Sequence, residues 1–316
     1  MPRRQILCLS GGGYAGLFAA KFLALLEAQH LPPNSRIGDR FDAIAGTSIG
    51  GLIALSLANG KSAQQILTTM LKAGPAVFRR RMGGLARMAW GPKHSVAPLR
   101  LHAEELLIGK TLGGLSKPVL IPAVTLSTAQ PKLFRAIPGR PNSDSRVALL
   151  DVALATSAAP LYFPPHKIGE GLFADGGLIA NRPDHLAVLE AISYGWSPDD
   201  LSILSIGTTY TPPGVLTHSS KRWGLIKWFG GDRKLLAIAM RAQMELAHEM
   251  ATRLLPPNRV LRIDPPLSPA QADAIALDLA DEKATSTLQA LAQAAIDSLD
   301  GGQLKRLLSH SGSSVQ

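Results

Sequence analysis

Phe41-Asp42-Ala43-Ile44-Ala45-Gly46-Thr47-Ser48-Ile49-Gly50-Gly51-Leu52-Ile53-Ala54-Leu55 carries the pattern that decides how this chain folds. Phe41 to Ala45 is a short apolar run that reads as a buried strand, and Ile49 to Ala58 reads as an apolar helix. Between them Gly46-Thr47-Ser48-Ile49-Gly50 matches G-x-S-x-G, the strand-turn-helix arrangement that lifts a serine hydroxyl clear of a sheet. So tight a turn strains the serine backbone, and it leaves the flanking positions room for little more than glycine. Ser48 would then stand at the carboxyl end of the sheet, near the positive end of the following helix. A Gly/Ser-rich turn can match this pattern by chance, but the strand before it and the helix after it favour a nucleophile.

Working outward, Gln5 to Leu9 reads as another buried strand, ending at Ser10-Gly11-Gly12-Gly13-Tyr14-Ala15-Gly16. From Tyr14 to Ala28 the residues Leu17, Phe18, Ala20, Phe22, Leu25 and Leu26 recur at helical spacing. Strand, glycine turn, helix, strand, tight turn, helix opens an α/β fold with a parallel sheet. Val119 to Leu126 and Leu201 to Gly207 read as further central strands. Leu149 to Ser157 and Pro183 to Tyr194 read as helices, with Pro183 in the first turn. Ala270 to Leu299 reads as one Ala- and Leu-rich helical tail, followed by a Ser-rich end that frays. Phe78 to Lys93 and His218 to Lys234 fit neither pattern and belong outside the sheet core. With no repeat and no long linker, residues 1–316 form one domain, with a motif core over about 6–207 and a helical C-terminal part over about 218–300.

Composition narrows the class. The 316 residues are 46% hydrophobic and 18% charged, which excludes a disordered chain. Thirty-three Lys and Arg against 23 Asp and Glu give +10, a sign that favours phosphate-bearing partners. A single cysteine, Cys8, excludes an internal disulfide framework and fits a reducing cytosol. Arg3 and Arg4 precede an apolar stretch as in a signal peptide, but Gly11-Gly12-Gly13 and Lys21 interrupt it. The longest clean apolar run, Ile49 to Ala58, falls far short of the ~20 residues of a membrane span. A soluble, intracellular protein is expected.

Two further motifs bear on chemistry. Gly11, Gly13 and Gly16 satisfy G-x-G-x-x-G, but a dinucleotide site wants an acidic residue ending the second strand. Asp42 begins that strand, and its end leads straight into the serine turn. The same glycines serve better as an oxyanion hole, in which the N–H groups of Gly11, Gly12 and Gly13 turn inward beside a helix N-terminus. Leu172-Phe173-Ala174-Asp175-Gly176-Gly177 sets a carboxylate at a strand end before two glycines. Alone it would read as a hairpin turn; beside the other two motifs it reads as an open turn that presents Asp175 to a cavity. The eight histidines, His30, His94, His102, His166, His185, His218, His248 and His310, lie in no recognisable motif. A Ser-Asp-His triad of the α/β-hydrolase order would also need the serine turn later in the chain. The chain lacks H-E-x-x-H and paired C-x-x-C, so neither metal nor cofactor is implied.

Glycine-rich loop, early G-x-S-x-G and Asp-Gly-Gly occur in the order that marks the patatin-like phospholipases. Ala155-Thr156-Ser157-Ala158-Ala159-Pro160, Tyr162-Phe163-Pro164-Pro165 and Asn181 are also similar to that family. The resemblance runs from Ile6 to about Gly207. It implies a three-layer α/β fold, a mostly parallel central sheet flanked by helices, and a Ser-Asp dyad with Ser48 as nucleophile and Asp175 as general base. Gly46, Gly50, Gly176 and Gly177 would shape the turns. The family's loop usually carries an Arg where Tyr14-Ala15 stands here, a departure that spares the main-chain donors. The implied substrate is a glycerophospholipid ester; a constitutive esterase or thioesterase of small soluble substrates is the alternative.

Trp223, Trp228 and Phe229 among Lys221, Arg222, Lys227, Arg233 and Lys234 resemble an anchor at an anionic membrane surface. The chain also looks like the bacterial patatin-like effectors of cyclic-oligonucleotide antiphage defence, which a cyclic dinucleotide activates to degrade the inner membrane. Arg79-Arg80-Arg81 with Arg87, and Lys221-Arg222 with Trp223, could meet its phosphates and bases; facing water or lipid phosphate is the plainer reading. The implied setting is a cytoplasmic protein, peripheral to the inner face of the membrane when active. Implied partners are phospholipid, cyclic dinucleotide and a second copy of the chain, with no nucleic-acid polymer.

Overall fold

A computed structural model describes residues 4–79, 91–210, 234–308 and 310. Among these described residues eight strands form one sheet: β1 (Arg4–Leu9), β2 (Ala43–Gly46), β3 (Val119–Thr125), β4 (Gln130–Ala136), β5 (His166–Ile168), β6 (Gly171–Asp175), β7 (Leu201–Ile206) and β8 (Val260–Ile263). Their order is β5-β6-β3-β2-β1-β7-β8, with β4 also on β3. β3, β2, β1, β7 and β8 run parallel, while β4, β6 and β5 add antiparallel pairings at the β3 end.

Alternation along β1 builds two cores. Leu7 and Leu9 face α1 (Leu17–His30), α2 (Ile49–Ala58) and α3 (Ala63–Val77). Ile6 and Cys8 face the opposite layer, made by α7 (Asp184–Ser193) and α8 (Lys234–Leu254). A strand buried on both sides must be apolar at every position, which explains the unbroken run Ile6-Leu7-Cys8-Leu9. The first layer also holds α4 (Val96–Leu107), α5 (Leu149–Thr156) and α10 (Glu282–Asp297), the last of which packs along α1. The remaining helices are one turn, α6 (Gly177–Ala180), the short α9 (Pro269–Ala272) and the terminal α11 (Gly301–Leu308).

Several expectations shift. β2 starts at Ala43; just before it Asp42 is bonded to Gln5 of β1 both ways, its N–H donating to the Gln5 carbonyl at 2.8 Å and its carboxylate, in place of a main-chain carbonyl, accepting the Gln5 N–H at 2.6 Å. A 3₁₀ turn over Gly13–Gly16 precedes α1. Pro183 stands one residue before α7 rather than inside its first turn. The C-terminal part is not helical throughout: β8 joins the sheet in parallel with β7. The expected single helix from Ala270 to Leu299 is broken between Ala272 and Glu282. There Asp281 turns its carboxylate to the Ala284 N–H at 2.8 Å and caps α10. No helix among the described residues is long and apolar enough to cross a membrane.

Candidate active site

β4 occupies one edge of β3 along its whole length, from Val119 to Thr125. The other edge is shared: β2 pairs at Val119 and Leu120, and β6 pairs antiparallel at Ala123 to Thr125. The carboxyl ends of β2 and β6 therefore meet nose to nose across a gap at Ile121 and Pro122. Pro122 costs the sheet nothing there, since no neighbouring strand offers its missing N–H an acceptor. Its carbonyl accepts the Thr156 hydroxyl at 2.6 Å, and the Thr156 oxygen accepts the Ser48 N–H at 3.0 Å. The topology thus brings Ser48, just past the end of β2, and Asp175, the last residue of β6, into one corner although they lie 127 positions apart in sequence.

Ser48 adopts φ 55° and ψ −126°. That conformation is strained for any side-chain-bearing residue and holds the hydroxyl out of the turn. Its Oγ donates to Asp175 Oδ2 at 2.6 Å. A Cβ on Gly46 would lie 2.2 Å from the Gly50 carbonyl oxygen, and one on Gly50 would lie 2.4 Å from that of Leu9. Both flanking glycines are therefore needed for space. Gly176 is hemmed in likewise, with its virtual Cβ 2.2 Å from the Pro122 oxygen.

Asp175 is buried, and its Oδ1 accepts the Gly177 N–H at 2.6 Å. Gly176 and Gly177 lead directly into α6, so this Asp-Gly-Gly is a helix start rather than a hairpin or an open turn. Desolvation raises the carboxyl pKa from 3.8 to about 6, against the lowering effect of the bonds from Ser48 and Gly177. A carboxylate so tuned is a competent proton acceptor near neutral pH.

The glycine loop lies beside this pair. Gly11 donates its N–H to the Asn181 carbonyl at 3.0 Å. Its own carbonyl accepts from Asn181 Nδ2 at 3.3 Å and from Thr208 Oγ1 at 3.1 Å. The expectation that Gly11 is an oxyanion donor is corrected here, because its N–H is already committed. Gly12 and Gly13 line the cavity, and their N–H groups have no acceptor among the described residues. Space excludes side chains at both: a Cβ on Gly12 would lie 2.2 Å from Thr208 Oγ1, and one on Gly13, at φ 58°, 2.2 Å from the Leu277 oxygen.

Ser48, Asp175, Gly12 and Gly13 open onto a cavity of about 150 Å³. Its walls are apolar, with Met70, Val77, Phe78, Phe163, Leu178 and Met240 among them, and none of its lining residues is a histidine. Tyr14 is internal structure, donating its N–H to the Leu277 oxygen at 2.8 Å and holding Thr285 Oγ1 at 2.7 Å through its hydroxyl. His94 stands behind the wall, 2.7 Å from Asp278 through Nε2 and packed against the rings of Phe78, Tyr162 and Phe163. Among the described residues no group of three His, Cys, Asp or Glu side chains is arranged for a metal ion. The basic stretches Arg80-Arg81 with Arg87, and Lys221-Arg222 with Trp223, Lys227, Trp228, Phe229 and Arg233, lie outside the described residues.

Sequence reasoning missed the supports of this site. Thr156 and Asn181 drew notice only through their family-like surroundings, with no role attached. Thr208, Gln243, Leu277 and Asp278 carry no local motif. The stripe Ala63, Ile66, Leu67, Met70, Gly74 and Val77 on α3, which supplies cavity wall, was a readable helical signal.

A sequence model of the family described as patatin-like phospholipase matches residues 7–188. The cGAMP-activated phospholipase of Escherichia coli (strain TW11681) is 37% identical over 315 residues, covering 92% of this chain and 87% of that protein. The cGAMP-activated phospholipase of Pseudomonas aeruginosa (strain BWHPSA011 / Pa011) is 37% identical over 298 residues, covering 92% and 86%. Among solved structures, VipD from Legionella pneumophila superimposes with a TM-score of 0.44 at 13% identity, covering 93% of this chain and 67% of that one.

Proposed function

The chain belongs to the patatin-like phospholipase family, and we propose that it hydrolyses the acyl esters of membrane glycerophospholipids with Ser48 and Asp175 as its catalytic dyad. The observation that carries this reading is the 2.6 Å bond from a strained Ser48 to a buried Asp175.

The chemistry follows from the geometry. Ser48 Oγ attacks the ester carbonyl carbon while Asp175 Oδ2 takes its proton. Negative charge gathers on the carbonyl oxygen, where the N–H groups of Gly12 and Gly13 receive it. The protonated Asp175 gives its proton to the departing alcohol oxygen as the C–O bond breaks, which leaves an acyl-Ser48. Water then attacks the acyl carbon, losing a proton to Asp175, and the same carboxyl returns a proton to Ser48 Oγ. Raised to about 6, Asp175 can both accept and return a proton near neutrality. Apolar cavity walls suit an acyl chain and keep bulk water from the reacting atoms.

A cyclic dinucleotide switches the enzyme on, as the relatives named cGAMP-activated phospholipase suggest. The active protein works from the cytoplasm at an anionic membrane face, in keeping with its formal charge of +10. Hydrolysis of a fluorogenic phospholipid in anionic vesicles, measured with and without cGAMP, tests both. Activity that rises with cGAMP and sediments with the vesicles supports the reading. Full activity without nucleotide removes the switch, and cleavage of soluble esters alone points instead to a small-substrate esterase.

A further inference from the structure

α6 is a single turn, yet both halves of the proposed machinery hang from it. Its first residue, Gly177, gives its N–H to Asp175 Oδ1 at 2.6 Å. The residue after its end, Asn181, holds Gly11 at two points, through its carbonyl to the Gly11 N–H and through Nδ2 to the Gly11 oxygen, which Thr208 also holds. Between these ends, the Ala180 oxygen accepts the Thr47 hydroxyl at 2.6 Å, next to the nucleophile.

So short a helix cannot fix itself, because one turn satisfies almost none of its own backbone groups. The missing partners come from α8. Gln243 Oε1 accepts the Asn181 N–H at 2.8 Å, and Gln243 Nε2 donates to the Leu178 oxygen at 3.0 Å. Asn181 Nδ2 also reaches Met244 Sδ at 3.2 Å. One amide side chain thus fills both a free N–H and a free carbonyl at the end of α6.

We infer that Gln243 is a positioning residue for hydrolysis: by fastening α6 to α8 it sets Asn181, and through Asn181 it sets Gly11 and the donor pair Gly12 and Gly13. The inference rests on the proposed oxyanion role of that loop. It makes α8 the element through which any displacement on that side of the fold reaches the reacting atoms.

The test compares Gln243→Met, which keeps length and loses both bonds, with Gln243→Glu, which keeps the acceptor for Asn181. Turnover of p-nitrophenyl butyrate is measured at pH 8 with saturating cGAMP, beside Gly12→Ala as reference. Gln243→Met should lower kcat about tenfold with KM within about twofold, less than the ~100-fold expected for losing a donor outright. Gln243→Glu should recover kcat to within about threefold of wild type. A purely structural role would lower both variants alike or raise KM instead, and either result overturns the inference. So does wild-type kcat in Gln243→Met while Gly12→Ala is slow. Gly12→Ala keeps its N–H but its Cβ would collide with Thr208 and displace the loop, so wild-type kcat there removes the oxyanion reading itself, and this inference with it. Should Gln243→Met unfold, Gln243→Lys against Gln243→Glu reads the same acceptor bond.

Discussion

Asp175 lines the apolar cavity and Asp278 stands behind its wall, next to the lining residue Leu277, and their surroundings push them in opposite directions. Asp175 lies at the meeting of two strand ends, fully desolvated, with only the neutral donors Ser48 and Gly177 for company, and its pKa rises to about 6. Asp278 lies in the strap between α9 and α10, half-buried. Burial alone would raise it, but bonds to Lys93 and His94, and their charge, hold it below the ordinary carboxylate range. Next to it, Leu277 lines the cavity and takes the Tyr14 N–H. The difference teaches how the walls of one site use the same side chain for two ends. A carboxylate denied cations stays basic enough to move a proton, and one given cations becomes a fixed fastening.

Substitution should expose that division sharply. Ser48→Ala and Asp175→Asn are each expected to lower phospholipid turnover by roughly a thousandfold or more, with circular dichroism unchanged. Asp278→Asn should leave turnover within a few-fold, and a loss as large as that of Asp175→Asn would erase the distinction. Next in size, Gly12→Ala and Gly13→Ala keep their N–H groups, but the added Cβ would collide with Thr208 or Leu277 and shift the loop; on the proposed oxyanion role each should lower kcat by about 100-fold with little change in KM, because misplaced donors miss charge that develops only in the transition state. Equal losses in binding with kcat unchanged would make the loop a substrate clasp.

The two carboxylates also differ in what they do to stability, and the signs are opposite. Asp175 binds its proton more tightly folded than unfolded, so its burial costs nothing below about pH 4. The penalty grows between 3.8 and about 6 and stays constant above. Asp175→Asn should therefore stabilise the protein by up to roughly 3 kcal/mol at pH 7.5 and by almost nothing at pH 4. In catalysis the same ionisation predicts kcat/KM that is level above about pH 6 and falls about tenfold per unit below it. Asp278 contributes stability that is present at neutral pH and fades only as acid protonates it below its ordinary range. The smallest effect expected is a loss of about 1–2 kcal/mol in Asp278→Asn at pH 7, read from thermal unfolding. A larger loss in Asp175→Asn than in Asp278→Asn at that pH would invert the comparison.

The corner that joins Ser48 to Asp175 was legible in the sequence, and the strap that holds Asp278 was not. Gly46-Thr47-Ser48-Ile49-Gly50 and Asp175-Gly176-Gly177 are local, because steric demands on a tight turn fall on adjacent residues. The burial that tunes Asp175 is a tertiary property, although the need for it could be foreseen from the chemistry. Gly11 was misassigned because which of three adjacent N–H groups is free depends on Asn181, 170 residues away. Asp278 pairs with His94 across 184 residues, and neither sits in a pattern that marks such a partner. β8 was missed, and α8 was expected only as part of a helical stretch over about 218–300 without bounds of its own, for a related reason. A four-residue strand such as Val260–Ile263 shows almost no alternation, and α8 is apolar on its outer side as well, where Leu246 and Met250 are exposed.

Covalent trapping of the nucleophile tests the central claim most directly. Wild-type protein and the Asp175→Asn and His94→Asn variants are treated with a fluorophosphonate, and the adduct is mapped by peptide mass spectrometry over time. The dyad predicts one adduct, on Ser48, formed about a thousandfold more slowly in Asp175→Asn and at an undiminished rate in His94→Asn. Labelling at another residue, or wild-type labelling of Asp175→Asn alongside an inert His94→Asn, would contradict it.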